Sequence, residues 1–317
     1  MIITKNAYAK INLHLGVKTN IKGGRHQLDS VFATVGLHDV INFVFNGKTL
    51  QPKTKLQISI DMQAGDGISL PYVPLQKNII YKAVRAFERM CVPEQEFKVD
   101  LASTASLVPA NKLHISVTKN IPVQAGLGGG STDAAATIMA LADFCGMNSN
   151  LKVLQDVASS IGADVPFFLE GGCTLMGGAG DIIVRKLPMP NPSLQLLLVK
   201  PNKGVSTAAA YSLFDANPMP ALAVRPLLDA LRSNELLQCI KDGTIMLANN
   251  LTSAACQIVP IISDLLQELK ATEGVAMPLL CGSGSTVFAI CESEQKALTL
   301  ASHYQKLGYW AFATTMT

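Results

Sequence analysis

A glycine-rich segment lies between a predicted strand and a predicted helix. Residues 122–136 read PVQAGLGGGSTDAAA, and four of the five positions from 126 to 130 are glycine. Upstream, residues 113–117 alternate apolar and polar side chains like a half-buried strand, and small helix formers follow the glycines. Bare backbone amides in such a loop approach a phosphate closely, and the helix N-terminus adds partial positive charge. The segment therefore predicts a phosphate-binding loop, with a tight turn that binds nothing as the alternative.

Two common phosphate motifs do not fit this segment or any other. A P-loop requires glycine, four residues and then Gly-Lys-Ser/Thr, but the only Gly-Lys-Thr, at 47–49, has Asn42 at the first glycine position. The dinucleotide fingerprint requires glycine or alanine three residues after Gly128, where the chain has Ser131. Ser131 and Thr132 instead offer hydroxyls that cap the helix or reach a phosphate or its magnesium ion.

Composition narrows the class of protein. The 317 residues predict two domains with ample core, and 49% hydrophobic against 15% charged residues is typical of a globular protein. The net charge of +3 comes from scattered Lys and Arg without a basic stripe, so we expect no nucleic-acid partner. The start has no apolar leader and no stretch of 18 apolar residues occurs, so we expect no membrane segment.

The cysteine pattern indicates a reducing compartment. Seven cysteines, an odd number without a Cys-x-x-Cys pair, are expected to be free thiols rather than a metal site or a disulfide framework. The five histidines show no metal-ligand spacing. We therefore expect a cytoplasmic protein.

The apolar periodicity predicts an α/β chain. Strands are predicted at 2–8, 11–17, 31–37, 40–45 and 56–60, with a polar turn between 37 and 40, and helices at 78–90, 131–144 and 151–161. After a second glycine-rich stretch at 171–180, a strand is predicted at 194–200, then helices at 205–214, 222–231 and one or two over 249–269. The tail reads strand 275–280, strand 287–291, helix 293–306 and strand 309–314. We set the domains at 1–170 and 171–317.

A few polar residues stand in settings that suit chemistry. Asp164 lies in an apolar stretch, where a carboxylate is either capped by backbone amides or held for a reaction. Lys10 and Asn12 share a face if they lie on a strand, where the lysine is either solvated or, with the asparagine, binds a phosphate or carboxylate. His26 follows a glycine turn and residues 282–285 follow a strand; alone, each is read as an incidental feature of a turn.

Four separated segments together resemble the GHMP kinase superfamily. They are AKINL at 9–13, PVQAGLGGGSTDAA at 122–135, GADVP at 162–166 and CGSGSTVF at 281–288. Within the superfamily the pattern is most similar to kinases that phosphorylate a hydroxyl of a diphosphocytidyl-linked methylerythritol in non-mevalonate isoprenoid biosynthesis. The resemblance implies an α/β (α+β) two-domain GHMP kinase fold, with an N-terminal ribosomal-S5-like nucleotide domain, a C-terminal ferredoxin-like domain and a cleft between them.

The resemblance also implies ATP with Mg²⁺ as the phosphoryl donor. The ATP-binding residues would be Pro122, Ala125, Gly126, Leu127, Gly128, Gly129, Gly130, Ser131 and Thr132, with Asn78 near the adenine. Mg²⁺ would arrive with the nucleotide, and Ser131 is its candidate protein ligand. Asp164 would act as the general base, and Lys10 beside it would keep it ionised and stabilise the transferring group.

The cytidine diphosphate-linked sugar alcohol would be bound by a second set of residues. They are Asn12, Arg25, His26, Gly282, Ser283 and Gly284, with His26 at the cytosine edge and the 282–285 loop on the diphosphate. Arg25 departs from the family, which has a tyrosine there that stacks on cytosine; an arginine plane also stacks on a base or pairs with phosphate.

Two alternatives stay open beside this interpretation. One is a GHMP kinase for another small alcohol, mevalonate-like or homoserine-like, against which His26 and the GADVP segment argue. The other is a non-catalytic member of the fold, against which intact Lys10 and Asp164 argue. We expect a monomer or a weak homodimer.

Overall fold

The computed structural model describes residues 1–22, 24–47, 49–50, 55–91, 109–110, 112–147 and 150–317. The chain forms two compact units that interleave along the sequence. Unit 1 comprises residues 1–7, 38–120 and 129–170, and unit 2 comprises residues 8–37, 121–128 and 171–317. The chain passes from unit 1 to unit 2 for the last time between Glu170 and Gly171. The two-domain division at residue 170 stays a prediction.

Two long strands begin the chain, β1 (Ile2–Lys22) and β2 (Arg25–Phe45), and each supplies residues to both units. The prediction of four short strands here is wrong. The sequence suggests breaks at Lys10 and at Asp39 because charged residues are rare inside buried strands. Both side chains are buried in hydrogen-bonded settings, Lys10 with Asn12 and Asp39 with Lys119, so neither interrupts its strand.

Among its described residues, unit 1 joins a sheet to four helices. Its further strands are β3 (Thr49–Leu50), β4 (Gln57–Ala64), β5 (Pro109–Ala110) and β6 (Lys112–Lys119). Its helices are α1 (Ile79–Cys91), α2 (Gly129–Cys145), α3 (Leu151–Ser159) and α4 (Val165–Phe168), with a short 3₁₀ turn at Leu75–Lys77. β2 pairs antiparallel with β6, and β6 pairs parallel with β4. β3 and β5 form a separate parallel pair.

The core of unit 1 is built around α2. Its alanines at 134–136, 140 and 142 are buried, and such small side chains allow neighbouring elements to approach closely. Phe144, near the end of α2, stacks on Phe45 of β2 with ring centroids 3.9 Å apart. The predicted alternation of β6 is confirmed, because Leu113, Ile115 and Val117 are buried while their neighbours are more exposed.

Unit 2 contains two sheets. Its further strands are β7 (Cys173–Gly177), β8 (Ile182–Leu187), β9 (Gln195–Lys200), β10 (Ala248–Asn249), β11 (Val275–Leu280), β12 (Val287–Cys291) and β13 (Trp310–Thr315). Its helices are α5 (Thr207–Ala216), α6 (Arg225–Ser233), α7 (Leu236–Lys241), α8 (Thr252–Ile258), α9 (Ile261–Ala271) and α10 (Glu294–Lys306). One sheet has the order β10-β1-β2-β7-β8, and the other has the antiparallel order β11-β12-β9-β13.

The strand β9, inside the second sheet of unit 2, is buried on both faces, since successive side chains of a strand point to opposite sides. Leu196 and Leu198 of β9 join one apolar cluster, and Leu197 and Val199 join another that also contains residues of α9 and α10. The predicted tail of strand, strand, helix and strand is confirmed by β11, β12, α10 and β13. Two helices, α8 and α9, flank Pro260, as the sequence allowed.

Several short elements were not predicted. β7 lies within the glycine-rich stretch at 171–180, and β8 follows that stretch. Gly178 and Gly180, in the turn between the two strands, have φ of +63° and +88°. α4 and α7 are only four and six residues long, too short for an apolar period to be visible. Most of the segment at 91–112 lies outside the described residues. Within the described part of the chain, no helix has both the length and the apolar character needed to cross a membrane.

Replacing Phe45 with alanine is expected to destabilise the protein. The side chain is buried against Phe144, so Phe45→Ala should lower the free energy of unfolding by about 3–5 kcal/mol through lost burial and a cavity. Val44→Ala on the same strand is the control, because Val44 is exposed and its loss should cost no more than about 0.5 kcal/mol. Urea unfolding followed by circular dichroism measures both, and equal losses would contradict this account of the core.

Candidate active site

A row of buried polar side chains runs along β1 in unit 2. Lys10 and Asn12 are 4% and 1% exposed, and Lys10 Nζ donates a hydrogen bond to Asn12 Oδ1 at 2.8 Å. Asn12 Nδ2 donates to Ser30 Oγ at 3.0 Å, and Ser30 Oγ donates to the carbonyl of His14. Lys10 Nζ also lies 4.5 Å from the ring centroid of Phe32. The predicted shared face of Lys10 and Asn12 is confirmed, and the lysine is buried rather than solvated.

Two loops of unit 2 approach each other at backbone level. One is the glycine loop (residues 121–128), and the other is the C-terminal loop between β11 and β12 (residues 281–286). Gly126 has a φ of +76°, and a Cβ added there would lie 2.0 Å from the carbonyl oxygen of Cys281. The amides of Ser285 and Thr286 donate to the carbonyls of Gln124 and Ala125 at 3.3 and 3.2 Å. Only glycine at 126 permits this approach, since any side chain would overlap the opposite main chain.

These loops meet the polar row of β1. The amide of Lys10 donates to the carbonyl of Leu127 at 3.0 Å. A Cβ added at Gly282 would lie 3.5 Å from Lys10 Nζ, 3.6 Å from Asn12 Oδ1 and 3.2 Å from the carbonyl oxygen of Gly126. The structure therefore brings together Lys10, Asn12, Gly126 and Gly282, which the sequence nominated from three separate segments.

Asn249 holds the C-terminal loop in place. Its Nδ2 donates to the carbonyls of Leu280 and Gly282 at 2.9 and 2.7 Å, and its Oδ1 accepts from the amide of Leu251 at 3.0 Å. Neither Asn249 nor Ser30 was selected from the sequence as a site residue. Ser30 has no local signal, but a polar residue at every second position of an apolar strand, at 10, 12 and 14, could have indicated the buried row.

In unit 1, the other half of the glycine segment begins a helix. The predicted start of α2 at residue 131 is two residues late, because Gly129 and Gly130 already form its first turn. That turn, Gly-Gly-Ser-Thr, carries no acidic residue, so its free amides and the hydroxyls of Ser131 and Thr132 suit an anion. A Cβ at Gly130 would lie 3.7 Å from Ile79 at the start of α1. This donor set fits the phosphates of a nucleotide.

Asn78 and Asp164 occupy the starts of two other helices of unit 1. Asn78 Oδ1 accepts from the amide of Ile80 at 2.9 Å, so this side chain caps α1. Asp164 is partly exposed and immediately precedes α4. Its side chain forms no capping hydrogen bond with the described backbone of α4.

A buried charge cluster lies one turn into α2. Lys119 Nζ, at the end of β6, contacts Asp133 Oδ2 at 2.6 Å and Asp39 Oδ2 at a shorter distance. Burial raises the pKa of Asp133 to about 8, although Lys119 opposes the shift. Burial lowers the pKa of Lys119, but Asp133 and Asp39 outweigh it, so the net direction is upward. No sequence signal pointed to this cluster.

His26 and Arg25 are held by carboxylates of unit 2. His26 Nδ1 lies 2.8 Å from the carbonyl of Lys18 and Nε2 lies 2.9 Å from Asp215 Oδ1. Since both partners are acceptors, both hydrogen bonds form together only when the ring carries two protons. Arg25 Nη2 lies 3.2 Å from Asp181, with the arginine side chain 62% exposed.

Aromatic rings and a helix start complete this surface of unit 2. The centroid of the His26 ring lies 5.4 Å from that of Tyr211 and 5.9 Å from that of Phe214, and both of these residues are on α5. At the start of α5, Thr207 Oγ1 is 2.8 Å from Ser283 Oγ of the C-terminal loop, and Ser206 caps the helix. α5 therefore links the His26 surroundings to the loop at 282–284.

The cysteines and possible metal ligands offer no competing site. All seven cysteines are free thiols, and burial raises the pKa of Cys281, the one beside the loops, to about 12. Such a thiol stays protonated near neutral pH and is a poor nucleophile. In the described ranges, no group of three or more His, Cys, Asp or Glu side chains is arranged to hold a metal ion.

Comparison with known proteins shows the family. Residues 78–172 match the family described as GHMP kinases N terminal domain. A 4-diphosphocytidyl-2-C-methyl-D-erythritol kinase of Desulfitobacterium hafniense (strain Y51) is 32% identical over 309 residues, which cover 97% of this chain and 93% of the relative. The chain belongs to the 4-diphosphocytidyl-2-C-methyl-D-erythritol kinase family of GHMP kinases.

Solved structures agree with this membership of the GHMP kinases. A crystal structure of 4-(cytidine 5'-diphospho)-2C-methyl-D-erythritol kinase matches with a TM-score of 0.70 and 26% identity, over 99% of each chain. A homoserine kinase from Cytophaga hutchinsonii has a TM-score of 0.68 at 20% identity, covering 100% of this chain and 94% of that one. At that identity the second likeness shows the fold alone. The predicted α/β GHMP kinase fold is confirmed.

Substitution of Gly126 tests the close approach of the two loops. Gly126→Ala places a Cβ against the carbonyl of Cys281 as well as in a left-handed conformation, so a loss of about 3 kcal/mol in unfolding free energy is expected. Gly243→Ala in the same unit is the matched control: its φ is +67° and nothing lies within 4 Å, so only the conformational cost of about 1 kcal/mol applies. Chemical denaturation compares the two, and similar losses would refute the steric argument.

Proposed function

We propose that this chain transfers the γ-phosphoryl group of ATP to a hydroxyl of 4-diphosphocytidyl-2-C-methyl-D-erythritol. The observation that carries the proposal is the buried Lys10–Asn12 pair against the glycines at 126 and 282. Lys10 Nζ is held by Asn12 next to the backbone of Gly126 and Gly282, and a positive charge fixed there would stabilise the negative charge that a transferring phosphoryl group carries. Relatives named 4-diphosphocytidyl-2-C-methyl-D-erythritol kinase match nearly the whole chain and support the choice of acceptor.

The donor would be bound by the glycine segment. The amides of residues 126–130, with the hydroxyls of Ser131 and Thr132, would hold the phosphates, and Asn78 would lie near the adenine. Pro122, Ala125 and Leu127 would shape the loop. Mg²⁺ favours oxygen ligands and would be held mainly by the nucleotide, with Ser131 as its candidate protein ligand. When bound, it would neutralise charge on the β- and γ-phosphates.

The chemistry would divide between Asp164 and Lys10. Asp164 would take the proton of the acceptor hydroxyl while that oxygen forms a bond to the γ-phosphorus. The bond between that phosphorus and the bridging oxygen breaks, and ADP leaves. Lys10, oriented by Asn12, would stabilise the negative charge on the transferring group.

The acceptor would be recognised by unit 2 residues around the C-terminal loop. Asn12 and the segment Gly282, Ser283 and Gly284 would contact the diphosphate and the erythritol part, and His26 the cytosine edge. Arg25 keeps an exposed guanidinium while paired with Asp181, so its plane is available to stack on a base or to meet a phosphate.

The cellular compartment, the oligomeric state and the partners of the enzyme are part of the same proposal. We place it in the cytoplasm, which the seven free thiols support, and expect a monomer or a weak homodimer without a nucleic-acid or membrane partner.

An ADP-release assay with three acceptors side by side tests the function. The diphosphocytidyl substrate should exceed mevalonate and homoserine in kcat/KM by about 10⁴-fold, because buried polar groups of a site reject acceptors that leave them unpaired. If mevalonate or homoserine has the higher kcat/KM, the proposed acceptor is wrong and that compound takes its place. If none of the three acceptors leads to ADP release, the chain is better explained as a non-catalytic member of the fold.

Asp164→Asn tests the assignment of the general base. The amide cannot accept the proton, so kcat should fall by about 10²–10⁴-fold while the affinity for ATP is retained. Asp156→Asn, at an exposed position of α3 in the same unit, is the matched control and should keep the parent kcat. Nucleotide titration and initial rates separate binding from turnover, and a near-normal kcat for Asp164→Asn removes it as the base.

A further inference from the structure

Asn249 and Asn250 are neighbours in unit 2, and their side-chain amides form the same kinds of hydrogen bond. In each, Oδ1 accepts from one backbone amide and Nδ2 donates to two backbone carbonyls. Asn249 Nδ2 binds the carbonyls of Leu280 and Gly282 at 2.9 and 2.7 Å. Asn250 acts on β1 instead, where it accepts from the amide of Val17 and donates to its carbonyl, both at 2.9 Å. The two side chains therefore make equal numbers of hydrogen bonds at different places.

The backbone amides of the C-terminal loop fall into two groups. Four of its six amides, at 281 and 284–286, donate to backbone carbonyls. The other two, of Gly282 and Ser283, have no such acceptor among the described residues. Gly282 is buried and Ser283 partly buried, and buried amides rarely stay without an acceptor in a native protein. Two adjacent free amides in a loop, with Gly282 at a φ of +54°, suit an anion.

The hydrogen bond from Asn249 fixes the direction of one of these free amides. The carbonyl of Gly282 and the amide of Ser283 belong to one planar trans peptide, in which the C=O and N–H bonds point in opposite directions. Because Asn249 Nδ2 holds this carbonyl, the amide of Ser283 is turned away from Asn249. Both Nδ2 protons of the buried Asn249 are used, so it has no donor left for a ligand.

An ammonium group lies beside the two free amides. A Cβ added at Gly282 would lie 3.5 Å from Lys10 Nζ, which Asn12 holds by a hydrogen bond of 2.8 Å. Three donors, the two amides and the ammonium, are therefore grouped around Gly282. Donors that are fixed before the reaction stabilise negative charge on a group in transfer, because they need no reorganisation when the charge develops.

We propose that Asn249 is a positioning residue for phosphoryl transfer. It orients the Gly282–Ser283 peptide so that the two free amides, together with Lys10, hold oxygens of the γ-phosphoryl group. This inference rests on the proposed function and adds to it a contact between the C-terminal loop and the group in transfer. Asn249 acts through the loop and touches neither the nucleotide nor the acceptor.

Paired variants of the two asparagines test this role in turnover. In Asn249→Asp, a carboxylate oxygen faces the two carbonyls that Nδ2 holds, so the loop peptide loses its orientation. We expect kcat to fall on the order of 10²-fold while the KM for ATP stays close to the parent value. Asn250→Asp is the matched control, because it loses the same two donors, at Val17 and Met219, and should keep the parent kcat.

Urea unfolding of both variants accompanies the kinetics and shows that each is folded. An unchanged kcat in a folded Asn249→Asp overturns the inference. Equal losses of kcat in the two folded variants also overturn it, because they would indicate a general structural effect.

An NMR measurement on the unsubstituted chain tests the contact without any variant. Cell-free synthesis with ¹³C-carbonyl glycine and ¹⁵N-serine selects the amides of serines that follow glycine, which are Ser131, Ser283 and Ser285. The Ser283 resonance should move when ATP is added with Mg²⁺ and much less with ADP, because only ATP carries the γ-phosphoryl group. Ser285, whose amide donates to the carbonyl of Gln124, is the internal control and should move little with either nucleotide.

The Ser131 resonance separates this inference from the proposed function. Ser131 lies in the first turn of α2, which is proposed to hold the nucleotide phosphates, so its shift reports nucleotide binding. If Ser131 moves while Ser283 responds equally to ATP and ADP, or to neither, the inference fails and the proposed function stands. If no resonance moves with either nucleotide, the proposed function fails and the inference fails with it.

Discussion

Hydrogen bonds to polar side chains buried in the middle of β1 and β2 are the constraint on which both units depend. In unit 2, Lys10, Asn12 and Ser30 satisfy one another along the paired strands. In unit 1, Asp39 receives donors from Lys119 and Asn120. Without these partners each buried polar group would carry the full cost of desolvation, and a continuous strand would be unfavourable at these positions. The strands are therefore long because their polar residues have partners.

The same arrangement suits the proposed phosphoryl transfer. A side chain that is buried and hydrogen-bonded is also held in one orientation, and the orientation of Lys10 beside the 126 and 282 glycines is what a phosphoryl-transfer site requires. The missing side chain of Gly126 is what allows this arrangement, because a Cβ at 126 would occupy the space of the Cys281 carbonyl. Asn249, which bridges two carbonyls of the C-terminal loop, keeps this approach in place.

The residues proposed for the chemistry and those proposed for acceptor choice differ in how strongly the fold holds them. Lys10 and Asn12 are buried, with defined partners. Arg25 is exposed and paired with one carboxylate, and it is the position at which the chain departs from the family. His26 is surrounded by Asp215, Tyr211 and Phe214 from α5, so the surroundings proposed to bind the acceptor are connected to α5 rather than to the glycine segment.

Local patterns in the sequence determined much of the fold and part of the site. Alternation located β6, a continuous apolar run located β9, and helical patterns located α1, α2 and α10. Four separated motifs indicated the family, with Lys10, Asn12, Gly126 and Gly282 among its site residues. These signals suffice because periodicity and glycine requirements are set by neighbours along the chain. The continuity of β1 and β2, the surroundings of His26 and the Asp39–Lys119–Asp133 cluster were decided only by the tertiary structure. Each depends on whether a polar group meets a partner from a distant segment, as Asp39 meets Lys119 from 80 residues away, and such a partner leaves no trace in the local pattern.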